Sequence, residues 1–297
     1  MNILVTGANG QLGEEMKQQS KFFPDFNFIF TDIQDLDLTD HDVVDSFCQS
    51  KKPDYLINCA AYTAVDVAES DEELATLLNT KVPGWIGKIS KKQGFRVIHI
   101  STDYVFDGTN GIPYTEDDMV NPESVYGKTK FNGEVSLLRE NPDSIIIRTA
   151  WLYSAFGNNF VKTMITLGEE CDSLKVVFDQ VGTPTYAGDL AKAILDIISK
   201  TEKNEEDWTN GIFHYSNEGV CSWYDFAKAI HDFYGISCKV LPVSSDEYPA
   251  PAKRPYYSVL NKFWIKKTFN IEIPYWRDSL KVCINKIKEQ KYAIAMA

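Results

Sequence analysis

The sequence lacks any run of 18 or more apolar residues, so we expect no segment of it to span a membrane. It also lacks a basic leader, and its first apolar run stops at Gly7, which is not the pattern of a signal peptide. Its six cysteines form no CxxC pair, and its four histidines have no zinc-site spacing. These absences predict a cytoplasmic protein with reduced thiols.

Positive charge is also scarce in the 297 residues, because 30 lysines and arginines stand against 42 aspartates and glutamates, giving a net charge of −12. A protein that binds duplex nucleic acid needs a basic surface, so we expect no nucleic acid partner. An anionic small ligand stays open, because a helix N-terminus and a few local cations can bind one. With 44% apolar and 24% charged residues, the composition is that of an ordinary globular protein.

Short apolar runs alternate with helical patterns along the first half of the chain. The predicted strands are 3–6, 28–31, 55–59, 97–101 and 144–148, and the predicted helices are 10–20, 40–49, 70–91 and 126–139. Strands that alternate with helices at this spacing form βαβ units and a parallel sheet. The less regular second half has predicted strands at 175–178 and 212–215 and predicted helices at 187–199, 222–234 and 276–291.

Three glycines follow the first predicted strand in a GxxGxxG pattern that leads into a helix: Gly7, Gly10 and Gly13. In dinucleotide-binding proteins such glycines allow a tight turn, close approach of the backbone to a pyrophosphate, and close packing of helix against strand. The helix N-terminus adds amide donors for the phosphates. Gln11 and Leu12 lie within this turn and belong to the same predicted site. The alternative is an ordinary turn after a strand.

An acidic residue ends the second predicted strand. Asp32, 19 residues after Gly13, is placed to accept hydrogen bonds from the ribose hydroxyls of an adenosine. Its carboxylate would repel a 2′-phosphate, and no arginine follows it at 33–35, which favours NADH while NADPH stays open. Asp37 and Leu38 lie where the adenine would pass, unless Asp37 merely starts a turn.

Small residues follow the third predicted strand, where they let a cofactor lie against the backbone, with close packing as the alternative. This segment is Ala60, Ala61, Tyr62 and Thr63. These signals together predict an α/β fold with a Rossmann-type doubly wound parallel sheet. We expect residues 1–150 to form an NAD(P)-binding domain and residues 151–297 to form a smaller, mainly substrate-binding α/β region, with interleaving of segments left open.

Two residues one helical turn apart carry the predicted chemistry. Tyr126 and Lys130 are four positions apart, so they share one face of a helix. A lysine ammonium lowers the pKa of a nearby phenol, which lets the tyrosine give or take a proton, and the same lysine can bind a nicotinamide ribose. Thr102 ends the fourth predicted strand, where its hydroxyl can hold a substrate carbonyl beside Tyr126. With the glycine turn, these residues predict a short-chain dehydrogenase/reductase of the extended kind.

Longer motifs resemble the dTDP-4-dehydrorhamnose reductase family. In the first half they are VTGANGQLG at 5–13, AAYTAVD at 60–66, STDYVFDG at 101–108 and YGKTK at 126–130. In the second half they are RTAWLY at 148–153, DQVGTPT at 179–185 and RPYYSVL at 254–260. The resemblance therefore covers nearly the whole chain in order, and the STDYVFDG and RPYYSVL blocks are far more specific than the glycine turn.

The resemblance implies that hydride passes from NADH or NADPH to C4 of dTDP-6-deoxy-L-lyxo-4-hexulose, giving dTDP-L-rhamnose. Tyr126 would protonate the developing alkoxide, Thr102 would orient the carbonyl, and Lys130 would tune Tyr126 and bind the ribose. The residues that the resemblance implies for the sugar nucleotide are Val65, Asp103, Tyr104, Trp151 and Arg254. Without the resemblance, core packing explains Trp151 equally well.

Some members of the family bind Mg²⁺ through acidic residues at a dimer interface. Glu15 matches one of these positions, and Asp189 falls near another but is shorter by one methylene group. We favour the alternative that both are solvated helix acids. The expected assembly is a monomer or a homodimer.

Two other functions stay open. An NDP-sugar epimerase or 4,6-dehydratase would belong to the same superfamily, but a dehydratase adds acids beside the catalytic hydroxyl, whereas Thr102 is followed by the single acid Asp103 and then by Tyr104. A non-catalytic regulatory subunit, like the one that binds methionine adenosyltransferase, also resembles this family. The intact set of Thr102, Tyr126 and Lys130 argues against that second alternative.

Overall fold

The computed structural model of the protein describes residues 1–203, 207–248 and 250–295. Its strands are β1 (Asn2–Thr6), β2 (Asn27–Thr31), β3 (Tyr55–Asn58), β4 (Arg96–Thr102), β5 (Ile145–Thr149), β6 (Leu152–Tyr153), β7 (Ser173–Val177), β8 (Val181–Gly182), β9 (Thr185–Tyr186), β10 (Gly211–His214), β11 (Cys221–Ser222) and β12 (Lys239–Val243). A six-stranded parallel sheet has the order β10-β5-β4-β3-β1-β2. The predicted α/β fold with a doubly wound parallel sheet is confirmed.

Helices connect these strands and cover both faces of the sheet. They are α1 (Gln11–Gln19), α2 (His41–Lys51), α3 (Val65–Ala68), α4 (Glu72–Thr76), α5 (Val82–Gln93), α6 (Val125–Glu140), α7 (Phe160–Glu170), α8 (Ala187–Glu202), α9 (Trp223–Tyr234), α10 (Phe263–Phe269) and α11 (Trp276–Ala295). None of the helices in the described ranges is long and apolar enough to cross a bilayer. The predicted elements do not include helices α3, α7 and α10 or strands β6, β8, β9, β11 and β12.

Alternating side chains of β1 divide the core into two layers. Ile3 and Val5 pack with Met16 of α1 and Ile194 of α8 on one face of the sheet. Leu4 packs on the other face, in a cluster that draws on α2, α5 and α6. Successive side chains of a strand point to opposite faces, so the apolar run of a central strand serves both layers.

Parts of the second half of the chain belong to this sheet. Strand β10 pairs in parallel with β5, and α8 covers the same face as α1. Helix α10 also packs into the sheet core, through Ile265 and Phe269. Helices α7, α9 and α11 instead form a separate core around the buried Phe226 and Trp276, beside the parallel pair β7–β12. The C-terminal half therefore both completes the sheet and forms a second hydrophobic core beside it.

The long helix predicted before the fourth strand is interrupted. A π-helical turn, Leu77–Lys81, separates α4 from α5 and holds the buried Asn79. The Asn79 amide bonds the backbone of Tyr62 on one side and the Thr129 hydroxyl of α6 on the other. A Cβ at Gly133 would lie 1.9 Å from the Asn79 carbonyl oxygen, so glycine is required for this approach. The turn thus ties the segment after β3 to α6.

A buried ion pair fixes α6 against the sheet. Arg148 on β5 donates to Glu134 on α6 through two hydrogen bonds of 3.0 and 2.7 Å, and the two side chains are 2% and 1% exposed. The Ser101 hydroxyl of β4 also donates to Glu134, at 2.5 Å. Charge-assisted bidentate contacts of this kind are strong and geometrically specific. They set the position of α6 relative to the carboxyl ends of β4 and β5.

We expect Glu134→Gln to lower the free energy of unfolding by about 3–5 kcal/mol, because it leaves the Arg148 charge buried without a counter-ion. Urea unfolding measures this loss. Glu140→Gln is the control on the same helix, since the Glu140–Arg139 pair lies at the surface and contributes about 0–1 kcal/mol. A loss from Glu134→Gln no larger than that of the control would contradict the structural role of the pair.

Candidate active site

A cleft of about 1040 Å³ opens at the carboxyl ends of the sheet strands. Its floor is formed by the threonines that end β1, β2, β4 and β5, which are Thr6, Thr31, Thr102 and Thr149. In open parallel sheets, ligands bind at this edge, where the strand order reverses. The cleft is therefore the candidate site, and most of the predicted site residues line it.

The glycine turn forms one end of the cleft. Gly7 has a φ of 65°, and a Cβ there would lie 2.7 Å from the Ala60 nitrogen. A Cβ at Gly13 would lie 2.4 Å from the Gly7 carbonyl oxygen, so Gly13 serves the packing of helix against strand and does not line the cleft. Gly10 precedes α1 without a capping side chain. No side chain therefore caps the first amides of α1, which leaves them available as hydrogen-bond donors to a pyrophosphate.

Asp32 lies in the cleft wall beside this turn. Its two carboxylate oxygens accept hydrogen bonds of 2.8 Å from the backbone amides of Asn9 and Ile33. Asp37 and Leu38 line the cleft as well, and Asp37 also accepts two hydrogen bonds from Thr39, so it both faces the cleft and stabilises a turn. These bonds from Thr39 hold the pKa of Asp37 below its usual value.

The segment after β3 lines the cleft with all but one of its predicted residues. Ala60, Ala61 and Thr63 line the cleft, next to Gln11 and Leu12 of the glycine turn. Tyr62 does not line it. The Tyr62 hydroxyl donates to a carboxylate oxygen of Asp71 at 3.1 Å, and its backbone is held by the π-helical turn. Tyr62 thus fixes the path of the segment.

The predicted catalytic tyrosine lies at the N-terminal end of α6. Ser124 caps this helix, and the ring of Tyr126 packs edge-on against Tyr104, with 5.6 Å between ring centroids. Burial raises the pKa of Tyr126 to about 12, while a hydrogen bond with Thr102 acts in the opposite direction. The phenol is therefore protonated at neutral pH, which is the form that a proton donor needs.

Lys130 lies one turn further along α6 and is 2% exposed. Its ammonium donates to the Ile100 carbonyl at 2.6 Å and lies 3.4 Å from Nε2 of His99. Burial lowers the pKa of Lys130 to about 8, although the Glu134 carboxylate opposes the shift. Burial dominates the pKa of Tyr126, and Lys130 is not among the groups that shift it in this structure.

An acid of raised pKa stands beside the predicted catalytic hydroxyl. Thr102 donates to Oδ1 of Asp103 at 3.0 Å and accepts from the Tyr104 amide at 3.2 Å. Asp103 is 2% exposed, and burial raises its pKa to about 7. Its Oδ2 has no hydrogen-bond partner in the described part of the chain. Asp103, Tyr104 and Val65 all line the cleft.

Arg254 is the predicted substrate-binding residue that the structure keeps out of the cleft wall. It forms a bidentate ion pair with Asp66, with distances of 2.6 and 2.7 Å. It shares a small cavity of about 10 Å³ with Tyr104, behind the cleft. Arg254 therefore contacts α3 through Asp66 and lies next to Tyr104.

An aromatic wall from the second half of the chain closes the cleft. Trp151 adopts a φ of 48°, rare for a bulky residue, and stacks on Trp223 with 3.6 Å between ring centroids and 10° between planes. Phe160 packs against Trp223 at 4.6 Å. A Cβ at Gly182 would lie 2.7 Å from the Trp151 ring, so glycine there makes room for it. The wall presents a flat apolar surface to a ligand.

Sequence reasoning missed part of this wall. Trp223, Phe160 and the polar segment Gly157, Asn158 and Asn159 line the cleft, yet none was a predicted site residue. Trp223 stands at the start of an amphipathic helix, where an aromatic residue predicts core packing. No signal in the sequence marks it, because only the tertiary fold brings α9 to Trp151.

The two acids that the resemblance offers as possible magnesium ligands have protein partners in this structure instead. Glu15 is 1% exposed, accepts a hydrogen bond from Ser154 at 2.6 Å and pairs with the Lys286 ammonium at 2.8 Å. Asp189 accepts from the Ser279 hydroxyl. The described residues contain no group of three or more metal-ligating side chains. The expectation of a solvated acid is wrong for Glu15, which is buried and paired with the partly exposed Lys286.

A glycine turn, a hydroxyl at a strand end and a Tyr–Lys pair meet in one cleft of a doubly wound sheet, and this combination defines a short-chain dehydrogenase/reductase. The comparisons with known proteins identify the family. Residues 1–289 match the model of the family described as RmlD substrate binding domain. The chain belongs to this family.

Relatives with the name of one enzyme share most of its length. A dTDP-4-dehydrorhamnose reductase from Aggregatibacter actinomycetemcomitans is 40% identical over 286 residues, covering 94% of this chain and 97% of the relative. The crystal structure of a dTDP-4-dehydrorhamnose reductase from Clostridium acetobutylicum is 49% identical, with a TM-score of 0.91 and coverage of 97% and 100%. Another from Bacillus anthracis, solved in complex with NADP, is 36% identical, with a TM-score of 0.91 and coverage of 96% and 99%.

We expect Lys286→Met to lower the free energy of unfolding by about 1–3 kcal/mol, because it leaves the Glu15 carboxylate buried without its cation. Lys281→Met, at an exposed position of the same helix, is the control for the loss of one charge. We also expect the same thermal midpoint in Mg²⁺ as in EDTA. Stabilisation by Mg²⁺ that disappears in EDTA would contradict the assignment of Lys286 as the counter-ion.

Proposed function

We propose that this protein reduces the C4 ketone of dTDP-4-dehydro-6-deoxy-L-mannose, with NADH or NADPH as reductant, to form dTDP-L-rhamnose in the cytoplasm. The observation that carries the proposal is the presence of Thr102, Tyr126 and Lys130 in the same cleft as the glycine turn. Relatives that cover nearly the whole chain and bear the name of this reductase support the substrate. The six free thiols suit a reducing compartment.

The residues that would hold the coenzyme are the glycine turn, the first amides of α1, Asp32 and Lys130. When bound, the reduced coenzyme supplies the hydride. The α1 amides bind the pyrophosphate, since no side chain caps this helix. Asp32, whose oxygens already accept two backbone amides, has lone pairs left for ribose hydroxyls. Lys130, which also lines the cleft, would donate a hydrogen bond to the nicotinamide ribose.

The protein's part in the chemistry is to protonate the oxygen that becomes an alkoxide. Tyr126 carries the proton, because its phenol stays protonated at neutral pH. The Thr102 hydroxyl has a single donor hydrogen, which goes to Asp103 in this structure. It would turn to the substrate carbonyl to hold that oxygen near Tyr126. The stacked Trp151 and Trp223 exclude water from this side of the cleft.

The direct test mixes the purified protein with the 4-keto sugar nucleotide and either NADH or NADPH. We expect substrate-dependent loss of the reduced-nicotinamide absorbance, one coenzyme consumed per product, and dTDP-L-rhamnose as that product. No loss with either coenzyme, from protein that binds coenzyme, would overturn the proposal.

The number of coenzyme molecules consumed per product also separates the reductase from an epimerase and from a regulatory subunit. An epimerase recycles its coenzyme, so it would convert a sugar nucleotide without net consumption. A regulatory subunit would bind coenzyme and turn nothing over. Asp103 followed by Tyr104 gives a single acid beside Thr102, which favours the reductase over a dehydratase.

We expect Tyr126→Phe to lower kcat by about 10²–10⁴, because it removes the general acid while keeping the ring. Coenzyme affinity, followed by fluorescence titration, should stay close to that of the unchanged protein. Tyr292→Phe, at a side chain that is 68% exposed, is the matched control. A loss of less than twofold in kcat would exclude Tyr126 as the acid.

We expect Asp32→Asn to raise the ratio of kcat/KM for NADPH to that for NADH by about tenfold, since it removes the carboxylate that repels a 2′-phosphate. Lys130 is the single basic side chain among the described residues that line the cleft, so no nearby cation cancels this repulsion. Asp42→Asn, at an exposed position of α2, makes the same change of net charge as a control. An unchanged ratio would show that Asp32 does not select the coenzyme.

A further inference from the structure

A chain of buried polar side chains runs from the catalytic helix into the centre of the sheet. Nε2 of His99 lies 3.4 Å from the Lys130 ammonium, and its Nδ1 lies 3.0 Å from the side-chain amide of Asn58. The other end of that amide lies 2.7 Å from the Thr6 hydroxyl. The chain thus crosses β4, β3 and β1 and ends at the cleft floor beneath the glycine turn.

All four side chains are nearly inaccessible to water. Thr6, Asn58 and His99 are each 1% exposed, and Lys130 is 2% exposed. An imidazole, an amide and an ammonium in an apolar sheet destabilise the fold unless each finds a partner. A valine or leucine would fill the interior of a central strand at lower cost. The polar chain therefore has a use beyond packing.

The chemistry of the partners fixes the tautomer of His99. An ammonium group only donates hydrogen bonds, so Nε2 must be the accepting nitrogen and Nδ1 must carry the proton. In the structure the Asn58 amide nitrogen lies 3.0 Å from Nδ1, and the Asn58 amide oxygen accepts from the Thr6 hydroxyl at 2.7 Å. The two ends of an amide are assigned from such networks, so we assign the amide turned by half a turn: its oxygen then accepts from Nδ1–H and its NH₂ group donates to Thr6. Burial and the Lys130 charge hold the pKa of His99 well below its usual value, so the ring stays neutral and keeps this lone pair.

Two interior acceptors thus hold the ammonium. The Ile100 carbonyl accepts one N–H at 2.6 Å and His99 accepts another. A lysine ammonium has three N–H donors on a flexible stem. Two of these donors bind the Ile100 carbonyl and His99, so the third is directed toward the cleft that Lys130 lines.

We propose that His99 is a positioning residue that holds the Lys130 ammonium from below, so that its free N–H is aimed at the ribose of the nicotinamide coenzyme. The role rests on the proposed function, because it assumes that the cleft binds this coenzyme. His99 touches neither coenzyme nor substrate. It acts through the direction and the charge of Lys130.

The test compares His99→Phe, which keeps an aromatic ring but removes the acceptor, with His99→Gln, which returns an acceptor oxygen near the position of Nε2. The readout is the affinity for reduced coenzyme alone, by fluorescence titration across pH. We expect His99→Phe to weaken binding by about tenfold or more, since a hydrogen bond to a charged group is lost. His99→Gln should restore most of the affinity.

The pH profile separates positioning from packing. The unchanged protein should bind best below the Lys130 pKa of about 8 and lose affinity as the pH rises through it, because the ammonium loses its proton. The titratable groups that act on the pKa of Lys130 are Glu134 and Cys59, and the Lys130 charge in turn acts on the pKa of His99. Because only His99 changes, His99→Phe should move the midpoint to lower pH by about half a unit or more, and His99→Gln should move it back.

Asn58→Ala is the second variant, in case His99→Phe does not fold. It removes the acceptor that fixes the His99 tautomer, so we expect a smaller loss of affinity and a midpoint shift in the same direction. A folded His99→Phe with unchanged affinity and midpoint would overturn the role of His99, as would a His99→Gln that equals His99→Phe in both. Failure of the unchanged protein to bind coenzyme would instead overturn the proposed function.

Discussion

The active-site geometry depends on one buried ion pair. Glu134 and Arg148 join α6 to β5, and Ser101 joins the same carboxylate to β4. Tyr126 and Lys130 are on α6, while Thr102 follows Ser101 on β4. The ion pair therefore fixes the distances from the Thr102 hydroxyl to the Tyr126 phenol and to the Lys130 ammonium. A hydrophobic contact between the same elements would add stability but not direction, whereas a bidentate charge pair constrains both distance and orientation.

Burial then sets the protonation states. It raises the pKa of Tyr126 to about 12 and of Asp103 to about 7, and it lowers the pKa of Lys130 to about 8. At neutral pH the phenol keeps its proton and the ammonium keeps its charge, which is the combination that a ketone reduction needs. Lys130 is close to losing its proton, because its pKa lies only about one unit above neutral pH.

The sequence predicts what is local, and the structure adds what is tertiary. Strands of the first half and the glycine turn are read correctly because their signals lie within single βαβ units. Helix α7 is missed although Val161, Met164 and Ile165 repeat at helical spacing. Trp223 could not be found, since nothing local distinguishes it from a core residue. Likewise, the Lys286 counter-ion of Glu15 is 271 positions away, so no local signal shows that Glu15 is buried and paired.

The charge of the cleft explains why the support of Lys130 matters. Asp32, Asp37 and Asp103 line it, and among the described lining residues Lys130 alone is basic. A protein of net charge −12 therefore attracts an anionic coenzyme mainly through backbone amides of α1, with a single side-chain cation to aid it. One cation can serve only if it is charged and correctly aimed. The Ile100 carbonyl secures it at one point, and a neutral acceptor such as His99 secures it at a second without adding a competing charge.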